Sequence, residues 1–362
     1  MSRSQIVPLT PGALEDAVAG VGGELPVEQS EAWDAYDEAM PGREPAGRLA
    51  WLLDGEPQAV LALTRLRGRG FTYLWAKHGP IWLTPDTPEA ERAFRRALTR
   101  SLRAAEPRAA FVRLHARHRA DDLHELLQSV TFDRTVVLDL AGTADADTLL
   151  ASMKKRGRRD VRKAGRNEDL VPGEETGIDA DGFAELYALL EETAERDEFG
   201  IAAASQYTTM LDSLGPEHGR LFVVRDREGR PLCWGIVTVG EGLATYYYAA
   251  SSHAGRRAGA PDLLVWHMAA TLQAEGVRTF DLMGIDSDRA PRLTGVRDFK
   301  TKFSNEVTEV PGAWDVPLRP VLYRTLTAAL AGKRRAVAAV GAARARVSGG
   351  ASEEKADEQP GE

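Results

Sequence analysis

One order of elements occurs twice in this chain, and that repetition limits its fold more than any other feature. Glu28 to Ala39 has helical apolar spacing, Arg48 to Leu53 and Gln58 to Arg67 read as strands around the Asp54-Gly55 turn, and Phe71 to Lys77 is a further strand. A helix over Pro88 to Ala105 and a strand over Ala110 to Leu114 complete the first block. In the second block, Gly182 to Arg196 reads as a helix, Leu221 to Asp226 and Pro231 to Val239 as a hairpin around Glu228-Gly229, and Ala244 to Ala250 as an aromatic strand. A helix over Pro261 to Glu275 and a strand over Thr279 to Met283 follow. From aromatic strand to next strand the blocks have similar spans, 38 residues from Tyr73 to Phe111 and 34 from Tyr246 to Phe280. A chain of 362 residues exceeds what one core usually fills, so two copies of one α/β domain are expected.

Charge is distributed unevenly along this frame. The net charge is −8, but Lys154 to Arg166 holds eight basic residues and one acid, Asp160, a local +7 that leaves −15 elsewhere. The segment reads as a helix with Leu150, Met153, Gly157, Val161 and Ala164 along one face and Lys155, Arg159, Arg162 and Arg166 on the other. Such a face is either a site for phosphate oxygens or a solvated surface. Only eight of the 46 cations are lysines, so Lys300 and Lys302 depart from the habit of the chain.

Other function classes lack their motifs. The lone Cys233 can form no internal disulfide and no zinc framework of the usual kind, and no 18-residue apolar run or signal-peptide pattern occurs, so a cytoplasmic location is expected. His115, His118 and His124 have metal-like spacing without a Cys or Glu placed to complete a shell, so no metal site is expected. Ser251 and Ser252 lack the setting of a hydrolase nucleophile, and no P-loop or dinucleotide fingerprint follows a strand.

Two further stretches could carry chemistry. Phe299-Lys300-Thr301-Lys302-Phe303 alternates as a strand would, with both phenylalanines on one face and both lysines on the other. Lys300 is then either an exposed strand charge or a fixed cation for a carbonyl oxygen turning negative in acyl transfer. Tyr246-Tyr247-Tyr248 must turn at least one ring toward solvent or a cleft, and the small-residue loop and helix start after it, with Arg256 and Arg257, could accept anionic or carbonyl groups. A sheet edge with aromatic packing is the competing reading.

Together, Ser152 to Ala164, Tyr246 to Trp266, Asp281-Leu282-Met283-Gly284-Ile285 and Phe299 to Leu318 resemble the FemABX aminoacyltransferase family, with a weaker echo in Gln29-Ser30-Glu31-Ala32-Trp33 and His78-Gly79-Pro80. The resemblance implies two tandem GNAT-like (acetyltransferase-like) domains of α/β (α+β) class. The first would span 1–148, with a C-terminal helix at 319–347 packing near it. The second would span 149–318 and carry the basic helix and the Phe-Lys motif. The acidic segment 348–362 is too poor in apolar groups to fold and is expected to be disordered.

The activity implied is transfer of an amino acid from aminoacyl-tRNA, the co-substrate, to an amine of a UDP-linked or lipid-linked peptidoglycan precursor, with no resident cofactor. Lys300 matches the catalytic lysine and Phe299 its partner, with Tyr248 positioning substrate. Tyr207, Lys155, Arg159, Arg162 and Arg256 complete the expected binding set. Two positions depart from the family pattern, because Asp37 stands where a precursor-binding lysine is common and Ala203 where an arginine precedes the tyrosine at 207. Arg43, Arg48 or Lys77 are the available substitutes. Two alternatives stand beside this reading: a small amine of specialised metabolism as acceptor, or a CoA-dependent acyltransferase. For the latter the loop from Arg256 has Gly259 but ends on Pro261. Lys333, Arg334, Arg335, Arg344 and Arg346 near the C-terminus permit peripheral contact with anionic lipid at the inner membrane face. No sequence feature fixes an oligomeric state.

Overall fold

The computed structural model describes residues 3–127, 131–197, 199–333 and 335. The expected acidic tail, and the expected C-terminal helix beyond 335, lie outside the described residues. Two seven-stranded sheets organise the chain. The first contains β1 (Ser4–Pro8), β2 (Arg43–Leu53), β3 (Glu56–Gly68), β4 (Phe71–Trp75), β5 (Ile81–Trp82) and β6 (Ala109–Ala116). The second contains β7 (Arg134–Asp139), β8 (Val171–Glu174), β9 (Gly219–Arg225), β10 (Pro231–Val239), β11 (Leu243–Ser251), β12 (Thr279–Gly284) and β13 (Thr308–Glu309), whereas the last strand, β14 (Gly312–Pro317), returns to the first sheet.

Among the described residues each sheet has a single parallel pair, β4 with β6 and β11 with β12, and antiparallel pairing elsewhere. Parallel neighbours need a crossover, and the helices expected between the aromatic strand and its successor supply it. In the first sheet this is α3 (Pro88–Ala105), capped by Thr87, whose hydroxyl accepts from the Ala90 amide at 3.2 Å. It packs on Trp51, Leu61, Leu74 and Leu114, while α1 (Ala13–Gly20) covers the opposite face.

The second sheet is also covered on both faces. One face carries α4 (Ala146–Ser152), α5 (Lys155–Gly165) and α9 (Ala260–Ala274), and the other α6 (Ala180–Asp197) and α7 (Ala204–His218). Between the sheets, α2 (Ala32–Ala39) sets Trp33, Tyr36 and Met40 against Met210 and Leu214 of α7.

Strand exchange crosses the boundary expected at 148/149. β7, from the first block, pairs antiparallel with β12, and β14, from the end of the second, pairs antiparallel with β6. The reason is local to β14: its Asp315 pairs with Arg113 of β6 at 2.7 Å, both buried, and Arg113 lies over the Tyr73, Trp75 and Phe111 rings. A helix over 320–333 then seats Tyr323 against Phe111 of the first sheet.

Three local expectations are corrected. The helix expected over Glu28 to Ala39 is a short 3-10 turn, Val27–Gln29, followed by α2. The basic helix is broken at Met153 and Lys154, whose extended backbone separates α4 from α5, and the buried residue of α4 is Leu149 rather than Leu150. Phe299 and Lys300 end a helix, α10 (Thr294–Lys300), instead of alternating along a strand, so the two phenylalanines meet at the i, i+4 spacing with ring centroids 5.3 Å apart. α8 (His253–Ala258) precedes α9.

Breaking the Arg113–Asp315 pair tests the exchange. Asp315→Ala leaves a buried guanidinium without its counter-charge and is expected to lower stability by about 3–5 kcal/mol, read from urea unfolding.

Candidate active site

The two parallel pairs end differently. In the first domain the strands stay joined past β4, with the Ala76 amide donating to Arg113 O and the His115 amide to Gly79 O, each at 2.8 Å. In the second domain pairing spans only Leu243–Thr245 against Thr279–Asp281. Beyond these residues β11 and β12 part, and crevices outside the carboxyl ends of parallel strands are the usual ligand sites of open α/β sheets. The open cleft therefore belongs to the second domain.

β11 forms one lip. Ile236 of β10 faces Tyr248 and Val237 faces Tyr246, so Tyr247 is the extra residue of a bulge, which turns three consecutive tyrosines to three surroundings. Tyr246 is buried beside Phe280 and covers Gly235, where any Cβ would lie 2.5 Å from its ring. Tyr247 points to the first domain, with its ring 6.0 Å from Trp33 and its hydroxyl against Lys77 Nζ. Tyr248 is 37 % exposed and rests edge-on to Tyr207 at 4.9 Å. Tyr207 itself is buried, and its hydroxyl accepts from the Ala202 amide, so it meets the cleft through Tyr248.

The other lip is the end of β12. Lys300 is half-buried, and its ammonium donates to Met283 O at 3.2 Å and Gly284 O at 2.9 Å. Met283 takes the left-handed conformation at φ 62°, and its amide donates to Asp281 at 2.7 Å. Burial pushes the Lys300 ammonium down to about 8, with the Asp281 carboxylate opposing. Burial also raises Asp281, against hydrogen bonds from Thr135 and Met283.

Lys302 is not the exposed partner of Lys300 that alternation implied. It is 7 % exposed, pairs with Asp262 in the first turn of α9, lies 3.9 Å from Asp160 of α5, and stands over the Phe299 and Phe303 rings. Gly157 of α5 presses on the same segment, since a Cβ there would sit 2.2 Å from Lys302 O. The basic helix is thus packed directly onto Lys302, two residues after Lys300. Its outer face is open: Lys155, Arg156, Arg159, Arg162 and Arg166 are exposed, and with Arg158 they line a shallow concavity of about 650 Å³. Arg256 is exposed on α8, whose end at Gly259 packs on the inner face of α5, where a Cβ would lie 3.4 Å from Ala164.

The departures from the family pattern are also placed. Asp37 is buried, accepts from the Thr64 hydroxyl and lies 3.9 Å from Arg43, and burial raises its carboxyl. Ala203 precedes the first turn of α7. Of the substitutes, Arg48 is bound to Asp34 at 2.6 Å and Lys77 lies 3.4 Å from the buried Glu28, while Arg43 stands over Tyr36. Among the described residues Asp86, Glu91 and His118 bring ligand-type atoms within 4.8 Å of one another. Arg95 and Arg117 already pair with those carboxylates, and His118 Nε2 lies 2.6 Å from Asp86 O, so the group is an internal network.

Sequence reasoning gave no role to Glu28, His78 or Asp281. The available signals were an acid inside the apolar run Phe280 to Met283 and a histidine directly before Gly79-Pro80.

The comparisons agree with this geometry. The family model described as an acetyltransferase (GNAT) domain matches residues 151–301. A crystal structure of FemX superposes with a TM-score of 0.68 at 17% identity, covering 89% of this chain and 100% of that one. The C-terminal domain of a putative lysylphosphatidylglycerol synthetase from Agrobacterium fabrum gives 0.52 at 16% identity, covering 87% and 95%. A tandem GNAT protein from the clavulanic acid pathway gives 0.51 at 12% identity, covering 87% and 99%. No curated protein matches the sequence.

Gly157→Ala would force α5 away from Lys302 and is expected to cost about 1–3 kcal/mol by denaturant titration. The chain thus has the tandem GNAT-like fold, with an acetyltransferase-domain signature over the half that holds the open cleft.

Proposed function

We propose that the protein transfers an aminoacyl group from the ester of an aminoacyl-tRNA to an amine, with Lys300 as the cation that stabilises the oxyanion. The observation that carries this reading is the half-buried ammonium held by two carbonyls at the mouth of the only parallel pair that opens among the described strands. An aminoacyl ester is already activated, so the enzyme has to align the amine with the carbonyl carbon and stabilise the negative oxygen. A preorganised ammonium in a partly desolvated cleft serves that second need without reorganising during the reaction. Phe299 covers the stem of the segment, Tyr248 presents the exposed ring of the cleft, and the outer face of α5 meets phosphates of the donor.

The acceptor implied by the family resemblance is a peptidoglycan precursor, which would make this a cell-wall enzyme. A small phosphate-free amine is the second reading, and Asp37 favours it. A buried carboxylate at that position, with Arg48 already paired, suits a phosphate poorly. A CoA donor is weaker still, because the first turn of α9 is occupied by the Asp262 carboxylate and its Lys302 partner. A tRNA donor implies a cytoplasmic location, at the inner membrane face if the acceptor is lipid-linked. No helix among the described residues is long and apolar enough to cross a membrane.

The direct test incubates the protein with mixed charged tRNAs and candidate amines, with and without CoA thioesters, and reads product mass. Lys300→Met is expected to lower kcat about 100- to 1,000-fold. Full activity in that variant removes the assignment. Because Lys300 loses its proton near pH 8, the rate that depends on its charge falls as pH rises through that value, and activity remaining in Lys300→Arg lacks this falling limb.

Neutralising Lys155, Arg159 and Arg162 together is expected to weaken tRNA binding and to reduce the log-log salt slope by about 2–3. An unchanged slope makes that face a solvated surface.

A further inference from the structure

Acyl transfer to an amine needs a proton acceptor as well as an oxyanion partner, and the first domain extends an imidazole to the open cleft of the second. His78 lies in the turn after β4. Gln29 fixes that turn by donating to Lys77 O at 2.7 Å and accepting from the Ala62 amide at 2.8 Å. The continued pairing of Ala76 with Arg113 and of Gly79 with His115 holds it on the other side. His78 takes φ 56°, a conformation a non-glycine residue rarely adopts, and such backbone recurs at functional positions. Its side chain is 26 % exposed.

The ring is surrounded by groups of both domains. Nε2 lies 3.4 Å from the buried Glu28 carboxylate, which Lys77 approaches at 3.4 Å on the same oxygen. His115 stacks on the ring at 4.9 Å and stays neutral, since burial pushes it down to about 3. Phe132 stands 6.5 Å away and covers Gly284, whose carbonyl binds Lys300. His78 and Lys300 both lie within electrostatic range of Asp281. His78 thus approaches the end of β12 by way of Phe132 while belonging to the other domain.

We propose that His78 is the proton acceptor of the transfer reaction and that Glu28 is its positioning residue. The assignment rests on the reading of the site as one for acyl transfer to an amine. Glu28 beside Nε2 favours the tautomer protonated there, which leaves Nδ1 as the basic nitrogen, and Nδ1 has no hydrogen-bond partner among the described residues. The amine nitrogen bonds to the ester carbonyl carbon, and its proton passes to Nδ1. The carbon–oxygen bond to the ribose then breaks, and the imidazolium returns the proton to the departing oxygen. No further reactant is needed.

His78→Gly suits the left-handed backbone and should leave the fold intact. It is expected to lower kcat about 100-fold or more with KM changed less than about threefold, and added imidazole should restore the rate saturably. His78→Asn, also tolerated at that φ, should remain slow. A kcat within about threefold of wild type in either variant, or a loss in His78→Gly that imidazole leaves unrelieved, overturns the assignment. If wild-type protein forms no product with any charged tRNA and amine, the transfer reading fails, and the ring is then tested alone. In 15N-histidine spectra the singly protonated ring is expected to carry its proton on Nε2, and a proton on Nδ1 overturns the proposal.

Discussion

The early parting of β11 from β12 is the constraint on which the rest of the site depends. Once parallel strands separate, their facing amides and carbonyls need other partners or water, because unpaired buried backbone is costly. On the β12 side that partner is Lys300, whose ammonium takes the Met283 and Gly284 carbonyls. On its other edge, in the ladder with β10, β11 carries a bulge at Tyr247 that turns this side chain toward the other domain. The cation that satisfies the open strand end is the same one to which the proposed function gives the developing negative charge.

The exchanged strands explain why two domains are needed for one cleft. β7 pairs with β12 in the sheet that opens, between it and the edge strand β13, and β14 forms the edge beside β6 in the sheet that stays zipped. Neither sheet is complete without the opposite end of the chain. The zipped strands form a rigid support from which Lys77 and His78 project toward Tyr247 and Phe132. A duplicated domain has in this way become asymmetric, with one copy open and the other supplying a wall. The basic helix is tied to the same centre, because Gly157 and the Asp160, Asp262 and Lys302 charges hold α5 against the segment carrying Lys300. A polyanion bound on the outer face of α5 would press on a helix whose inner face packs against Lys302, two residues from Lys300.

Legibility in the sequence followed the range of the interactions. The repeat, the crossover helices and the buried face of the basic helix are set by local periodicity, and Met153, Gly157, Val161 and Ala164 are buried as their spacing requires. Short-range patterning misled at Phe299 to Phe303, where alternation and an i, i+4 helical pair fit the same five residues. Tertiary packing decided between them, with the buried Lys302 pairing to Asp262 forty residues earlier in the chain. The glutamate, histidine and aspartate around the cleft carried at most weak local signals, since Glu28 and His78 meet only across about fifty residues of chain and Asp281 meets Thr135 of β7, from the first block.

Composition and periodicity alone determined a two-block α/β chain with one dense cationic helix and a lysine in an arginine-rich sequence. Those properties depend on residue type and on spacing within a turn or a strand. Only the tertiary structure decided which parallel pair opens, which lysine is exposed to the cleft and which is locked in an ion pair, and that His78 faces the neighbouring domain. These are set by contacts between residues tens to hundreds of positions apart, where burial and pairing are not encoded in local order.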